Sequence, residues 1–146
     1  MRALPWVHLV ATLGMTIVIW EVQLLRYPSF AHVAAADFPA FHQKHVARIS
    51  LVVIPLMMAE LATAGFFVMN PSASPVSPWL NWIGLALVGL VWASTFFVQV
   101  PLHNRLAEGF DAPTVERLVS TNWIRTAGWS ARGVLALLMT IATLRQ

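Results

Sequence analysis

Four ionisable side chains stand inside stretches that are otherwise apolar: His8 and Glu21 in the first, Glu60 in the second and Arg132 in the last. A charge in hydrocarbon costs several kcal/mol unless it is paired or hydrated, so each marks either a polar contact between helices or a site. Asn122, Arg125, Trp129 and Arg132 follow at spacings of three, four and three, which on a helix places all four along one face. His42 and His45 share a face at a spacing of three with Arg48 after them, and His103-Asn104 closes another apolar stretch. An imidazole titrates near neutrality and serves as a general base. A guanidinium held in a dry site stabilises a developing phenolate or enolate oxygen. The expected site therefore takes its base from His42, His45 or His103, its oxyanion partners from Arg125 and Arg132, and its charge balance from Glu60. It should open at one end of the helices, among Glu21, Tyr27, Gln99, Asn104 and these residues.

Plainer readings stand beside these roles. Glu60 and Arg132 also suit a structural ion pair, since polar contacts hold helices together in membranes. His42 and His45 suit a solvated pair at the membrane surface, and His8 a packed histidine. As metal ligands, His42 and His45 supply only two donors, and no third is evident.

The elements that must carry these groups follow from composition. Of 146 residues, 58% are hydrophobic and 10% charged, against about 25% charged in a soluble domain. Nine Lys and Arg are scattered between apolar runs rather than gathered into the basic face that nucleic acid requires. The absence of cysteine excludes disulfides and thiolate catalysis. A bilayer core of about 30 Å takes about 20 apolar residues in a helix, and four such runs occur, at about 4–25, 49–69, 79–100 and 123–144. The expectation is an all-α integral membrane four-helix bundle, antiparallel and up-down, forming one domain over residues 1–146. Phe38-Pro39 predicts a helix that starts ahead of the second span. Leu102 to Asn122 reads as a surface hairpin with Asp111 as a helix cap before Pro113.

Lys and Arg in short loops set orientation. Arg26, Lys44, Arg48, Arg105, Arg117 and Arg125 fall at one end, and Arg2 and Arg145 at the other. Both termini are thus expected on the non-cytoplasmic side of a bacterial inner membrane.

The stretch Val98 to Ala107 (VQVPLHNRLA), followed by Asn122 to Arg132 (NWIRTAGWSAR), resembles the small four-helix membrane family that contains the anthrone oxygenases. There, a Val-Pro-Leu-Asn-x-x-Leu element precedes a last helix bearing Trp and Arg. His103 stands where that family usually has asparagine. The resemblance covers the last third of the chain, and implies an oxidoreductase or oxygenase acting on a hydrophobic, polycyclic or quinone-like small molecule that arrives from the lipid. A second resemblance, to small heme-binding membrane proteins of the protoporphyrinogen-oxidase type, rests on the early histidine of the first helix and implies heme b on His8. A third expectation, from the short loops and compact layout, is an accessory subunit of a larger respiratory or photosynthetic membrane complex.

Overall fold

The computed structural model describes residues 3–145, so Arg2 of the charge count lies outside the described residues. Four long helices make up the fold: α1 (Leu4–His32), α2 (Phe38–Met69), α3 (Pro78–Glu108) and α4 (Ala112–Leu144). All four are long and apolar enough to cross a membrane, and among the described residues there is no strand. At 29 to 33 residues each exceeds the length the hydrocarbon needs by about three turns. The surplus builds a second, smaller core at the basic end. There Phe30, Phe38, Leu106 and Leu118 are fully buried, with Phe30 edge-on to Phe38 at 5.8 Å. Burying such side chains contributes about 1.5–3 kcal/mol each.

Helix α2 begins at Phe38 as the Phe38-Pro39 pair predicts. The expected hairpin over 102–122 is instead almost all helix, because α3 continues to Glu108 and α4 starts at Ala112. Three residues make the turn. Gly109 takes a φ of 157°, a conformation that side chains with a Cβ rarely adopt. Asp111 then caps α4, its carboxylate accepting from the Thr114 backbone N–H at 3.1 Å and from the Thr114 hydroxyl. Such a cap contributes about 1 kcal/mol.

Two helices carry a defect at matching places. Helix α1 widens into a π-turn at Val22–Arg26 and α3 at Thr95–Gln99. In both, a proline follows two residues after the widened turn, Pro28 in one and Pro101 in the other. Proline offers no N–H and its ring collides with the carbonyl four residues back. Widening the turn ahead of it relieves that collision without ending the helix, and π-turns of this kind recur at functional sites. The extra residue turns polar side chains inward, so that Gln23 and Gln99 are both buried.

Hydrogen bonds join the start of α1 to the end of α2, His8 to Thr63, and the end of α1 to α4, where Asn122 donates to Gln23 at 2.9 Å. Between them the Thr16 hydroxyl donates to the Trp129 carbonyl at 3.0 Å. The mid-bundle core holds Met15, Ile19, Met57, Val91 and Trp129, while Ile17, Leu51 and Phe97 turn outward, Phe97 being 81% exposed. That outward apolar surface is what lipid contact requires.

Without a hydrophobic drive between helices in lipid, close backbone approach at small residues supplies the packing. A Cβ on Gly128 would stand 2.6 Å from a methyl of Val91, whereas one on Gly65 would meet nothing within 4 Å. Gly128→Ala should therefore cost about 1–3 kcal/mol through overpacking, and Gly65→Ala should leave stability unchanged or raise it. Melting temperatures in detergent measure both; equal values would contradict the α3–α4 contact at Val91.

Candidate functional site

Three helices converge at the basic end on a chain of hydrogen-bonding side chains. Tyr27 follows the π-turn of α1, His103 follows that of α3, and His42 lies in the opening turns of α2. The Tyr27 hydroxyl is 3.0 Å from Nε2 of His103, and Nδ1 of His103 is 2.9 Å from Nε2 of His42. Phe38 stacks on the His42 ring at 5.7 Å, and Phe30 meets His42 and His45 edge-on. The small aromatic core thereby sets the orientation of the imidazoles. His45 lies beside His103, ring centres 6.3 Å apart, without a hydrogen bond between them.

Tyr27, His45 and His103 border a cavity of about 180 Å³ between α1, α2 and α3, closed from the α4 side by Arg125. Its other walls are mostly apolar, among them Met15, Ile19, Ile49 and Val53, with Gln99 and Asn104 as further polar members. Arg125 is 7% exposed. Its guanidinium carbon stands 5.3 Å from the centre of the Trp129 ring, and its charge bears on Tyr27 and His103. Among the described residues no carboxylate reaches it, and its Nε has no hydrogen-bond partner. A buried guanidinium with a free N–H beside an apolar cavity is a site for an oxyanion.

The backing of this site is polar and well tied. Gln23 accepts from Asn122 at 2.9 Å and from Thr126 at 3.2 Å, and donates to the Val119 carbonyl at 3.2 Å. Gln99 donates to Thr121 at 3.0 Å. Its carbonyl oxygen stays without a partner. The two π-turns thus brace the face of α4 that carries Arg125.

The other sequence-derived candidates lie elsewhere. Arg132 donates from Nε to Glu60 at 2.6 Å and from Nη1 to the Gly84 carbonyl, and the Trp129 indole donates to the second Glu60 oxygen at 2.9 Å. This pair is fully buried, Arg132 borders a separate void of about 10 Å³, and neither Glu60 nor Arg132 lines the cavity. Glu60 is saturated by its own arginine and does not balance Arg125. Glu21, expected at the opening, instead pairs with Arg26 at 3.3 Å on a half-exposed surface. His42 stands behind His103 rather than on the cavity. His8 bonds Thr63 through Nδ1 at 2.7 Å and packs edge-on against Phe67. The 10 Å³ void beside it is of single-water size, and the residues around His8 do not fit a heme. Nor do the imidazoles suit a metal: the facing nitrogens of His42 and His103 are a hydrogen bond apart, and among the described residues no three potential ligands converge.

Tyr27 acquires a partner that its position in the sequence does not announce, and the π-turns that aim Tyr27 and Gln99 leave no mark in hydropathy. The spacing of Pro28 and Pro101 after each apolar run is the signal for them. In comparisons with protein-family models, curated proteins and solved structures, the chain matches none.

Removing one member of a buried ion pair strands the other. Arg132→Leu should cost about 3–5 kcal/mol, and adding Glu60→Leu should recover part of that loss. Unfolding of the two single variants and the double variant in detergent measures the coupling; additive losses would contradict the contact.

Proposed function

We infer that the chain is a small membrane enzyme of the oxygenase type, removing a proton from a hydrophobic aromatic ketone or phenol and holding the resulting oxyanion on Arg125 for oxidation by dioxygen. The observation that carries this reading is the buried Arg125 without a carboxylate partner among the described residues. It shares a mostly apolar cavity with the hydrogen-bonded Tyr27 and His103. An ionic group left unpaired in such surroundings is costly. A ligand oxyanion supplies the missing charge and makes binding strongest for the anionic, reactive form.

Tyr27 and His103 are the acid–base pair, since both border the cavity and are already hydrogen-bonded. Arg125 is the oxyanion partner, and His45 shapes the wall between the cavity and a basic cleft formed with Arg26, Lys44 and Arg48. The cavity's 180 Å³ compares with about 150 Å³ for an apolar cavity that takes benzene. One oxygen-bearing ring occupies it, and the remainder of a fused system extends past Val46 and Asn104, which also border an outer groove of about 570 Å³. The resemblance of Val98 to Ala107 and of Asn122 to Arg132 to the anthrone-oxygenase family supports the same substrate class. For anthrone the balance is one ring methylene and one dioxygen giving one quinone carbonyl and one water. In this reading the basic end faces the cytoplasm, and both termini lie outside the inner membrane of a bacterium, the bundle running up and down.

Purified protein in mild detergent, given anthrone and dioxygen, should form anthraquinone above the uncatalysed rate. Arg125→Gln should lower that excess about 100- to 1,000-fold, as loss of an oxyanion donor does. Its melting temperature should stay level or rise, because no carboxylate among the described residues is stranded when the charge is removed. Full turnover in Arg125→Gln, or none in the native protein, would overturn the reading.

A further inference from the structure

His42 takes no part in the cavity, yet it is the least exposed imidazole of the three at this end and is aligned on His103. Its ring is 2% exposed and stacked on Phe38. Its Nε2 faces His103 Nδ1 at 2.9 Å, while its Nδ1 has no partner. The ring also borders the outer groove of about 570 Å³, together with His103 and Asn104. A histidine held by one ring nitrogen, with the other buried and unpartnered in a ring that borders a groove, has the two ends that proton transfer requires. The remaining ionisable groups facing His103 are His45 from α2, Tyr27 from α1 and Arg125 from α4.

We propose that Tyr27, His103 and His42 form a proton relay running from the cavity to the outer groove. The proposal rests on the enzyme reading above and assigns His42 a role that reading leaves open. The two contacts are satisfied together when the Tyr27 hydroxyl donates to His103 Nε2 and His103 Nδ1–H donates to His42 Nε2, with the His42 proton on Nδ1. One displacement then moves a proton along the chain. The substrate C–H bond breaks and its proton bonds to the Tyr27 oxygen. The Tyr27 proton passes to His103 Nε2, the His103 Nδ1 proton to His42 Nε2, and the His42 Nδ1 proton to a water admitted from the groove to that buried nitrogen. The electron pair of the C–H bond stays on the substrate as its enolate, held by Arg125.

Both histidines are left in their opposite tautomers. When dioxygen oxidises the enolate, the peroxide anion that forms takes a proton back from Tyr27, and the chain runs in reverse and resets. No net proton is released over a full turnover, which agrees with the balance of the reaction. Without dioxygen the first half stands alone and releases one.

The test is anaerobic rapid mixing of the detergent-solubilised protein with anthrone, following the coloured anthrone enolate and, in weak buffer, a pH-indicating dye. In the native protein the enolate and the released proton should appear together. His42→Gln keeps a polar side chain against His103 but does not pass a proton, and should slow both signals about 100-fold, within the range for loss of a proton-transfer group. In His42→Gly, added imidazole should restore the rate; a loss that imidazole does not restore would mean His42 only supports the fold, and would overturn the relay. Native rates in His42→Gln would overturn the relay and leave the enzyme reading intact. No enolate in the native protein would overturn both.

Discussion

A charge inside a bilayer has to be answered by another charge or by hydrogen bonds, and the two buried arginines of α4 meet this demand differently. Arg132 is answered within the protein, by Glu60 at 2.6 Å and by the Gly84 carbonyl. Arg125, seven residues earlier, has no carboxylate among the described residues. Trp129 lies between them, its indole N–H on Glu60 and its ring face toward Arg125. At an effective dielectric of 20, two unit charges 4 Å apart interact by about 4 kcal/mol. The first pair uses that attraction to offset its own desolvation. The second arginine has no such carboxylate among the described residues. One helix face thus carries an answered and an unanswered charge, separated by a single indole.

The position of the open arginine depends on two widened turns. Pro28 and Pro101 each disturb the helix behind them, and the π-turns that result bring Gln23 and Gln99 against α4 while Tyr27 and His103 come together across the gap. The aromatic group of Phe30 and Phe38 then orients His42 and His45 from the water side. Had α1 and α3 remained regular helices, one residue fewer in each turn would have rotated Tyr27 and His103 by about 100° relative to the preceding segment. The cavity follows from the same defects, since helices that widen locally cannot pack as closely there.

Much of the architecture was legible from hydropathy. Four apolar runs separated by short polar segments lead directly to four membrane-length helices, and the cost of Glu60 and Arg132 implies their pairing. The spacing of Asn122, Arg125, Trp129 and Arg132 correctly places them on one inward face. What could not be read was depth and division along that face. Periodicity says which side a residue takes but not which of two arginines an acid meets, so it does not separate Arg132, held by Glu60 away from the cavity, from Arg125, which lines it. Glu21 departs from the expected opening because Arg26, at the far end of the π-turn, comes within 3.3 Å of it and pairs with it on a half-exposed surface. The reversal over 102–122 and its Asp111 cap are legible in the sequence, but its polar composition resembles a loop and hides that it is the last turns of α3 and the first three of α4.

The central claim is that Arg125 requires an acidic hydrophobic ligand, and native mass spectrometry of the protein extracted from membranes in mild detergent tests it most directly. The native protein should retain a small acidic aromatic of defined mass that Arg125→Gln loses, while an Arg132→Leu protein that remains folded should keep it. The same adduct on native protein and Arg125→Gln, or none on the native protein at saturating anthrone, would contradict the account.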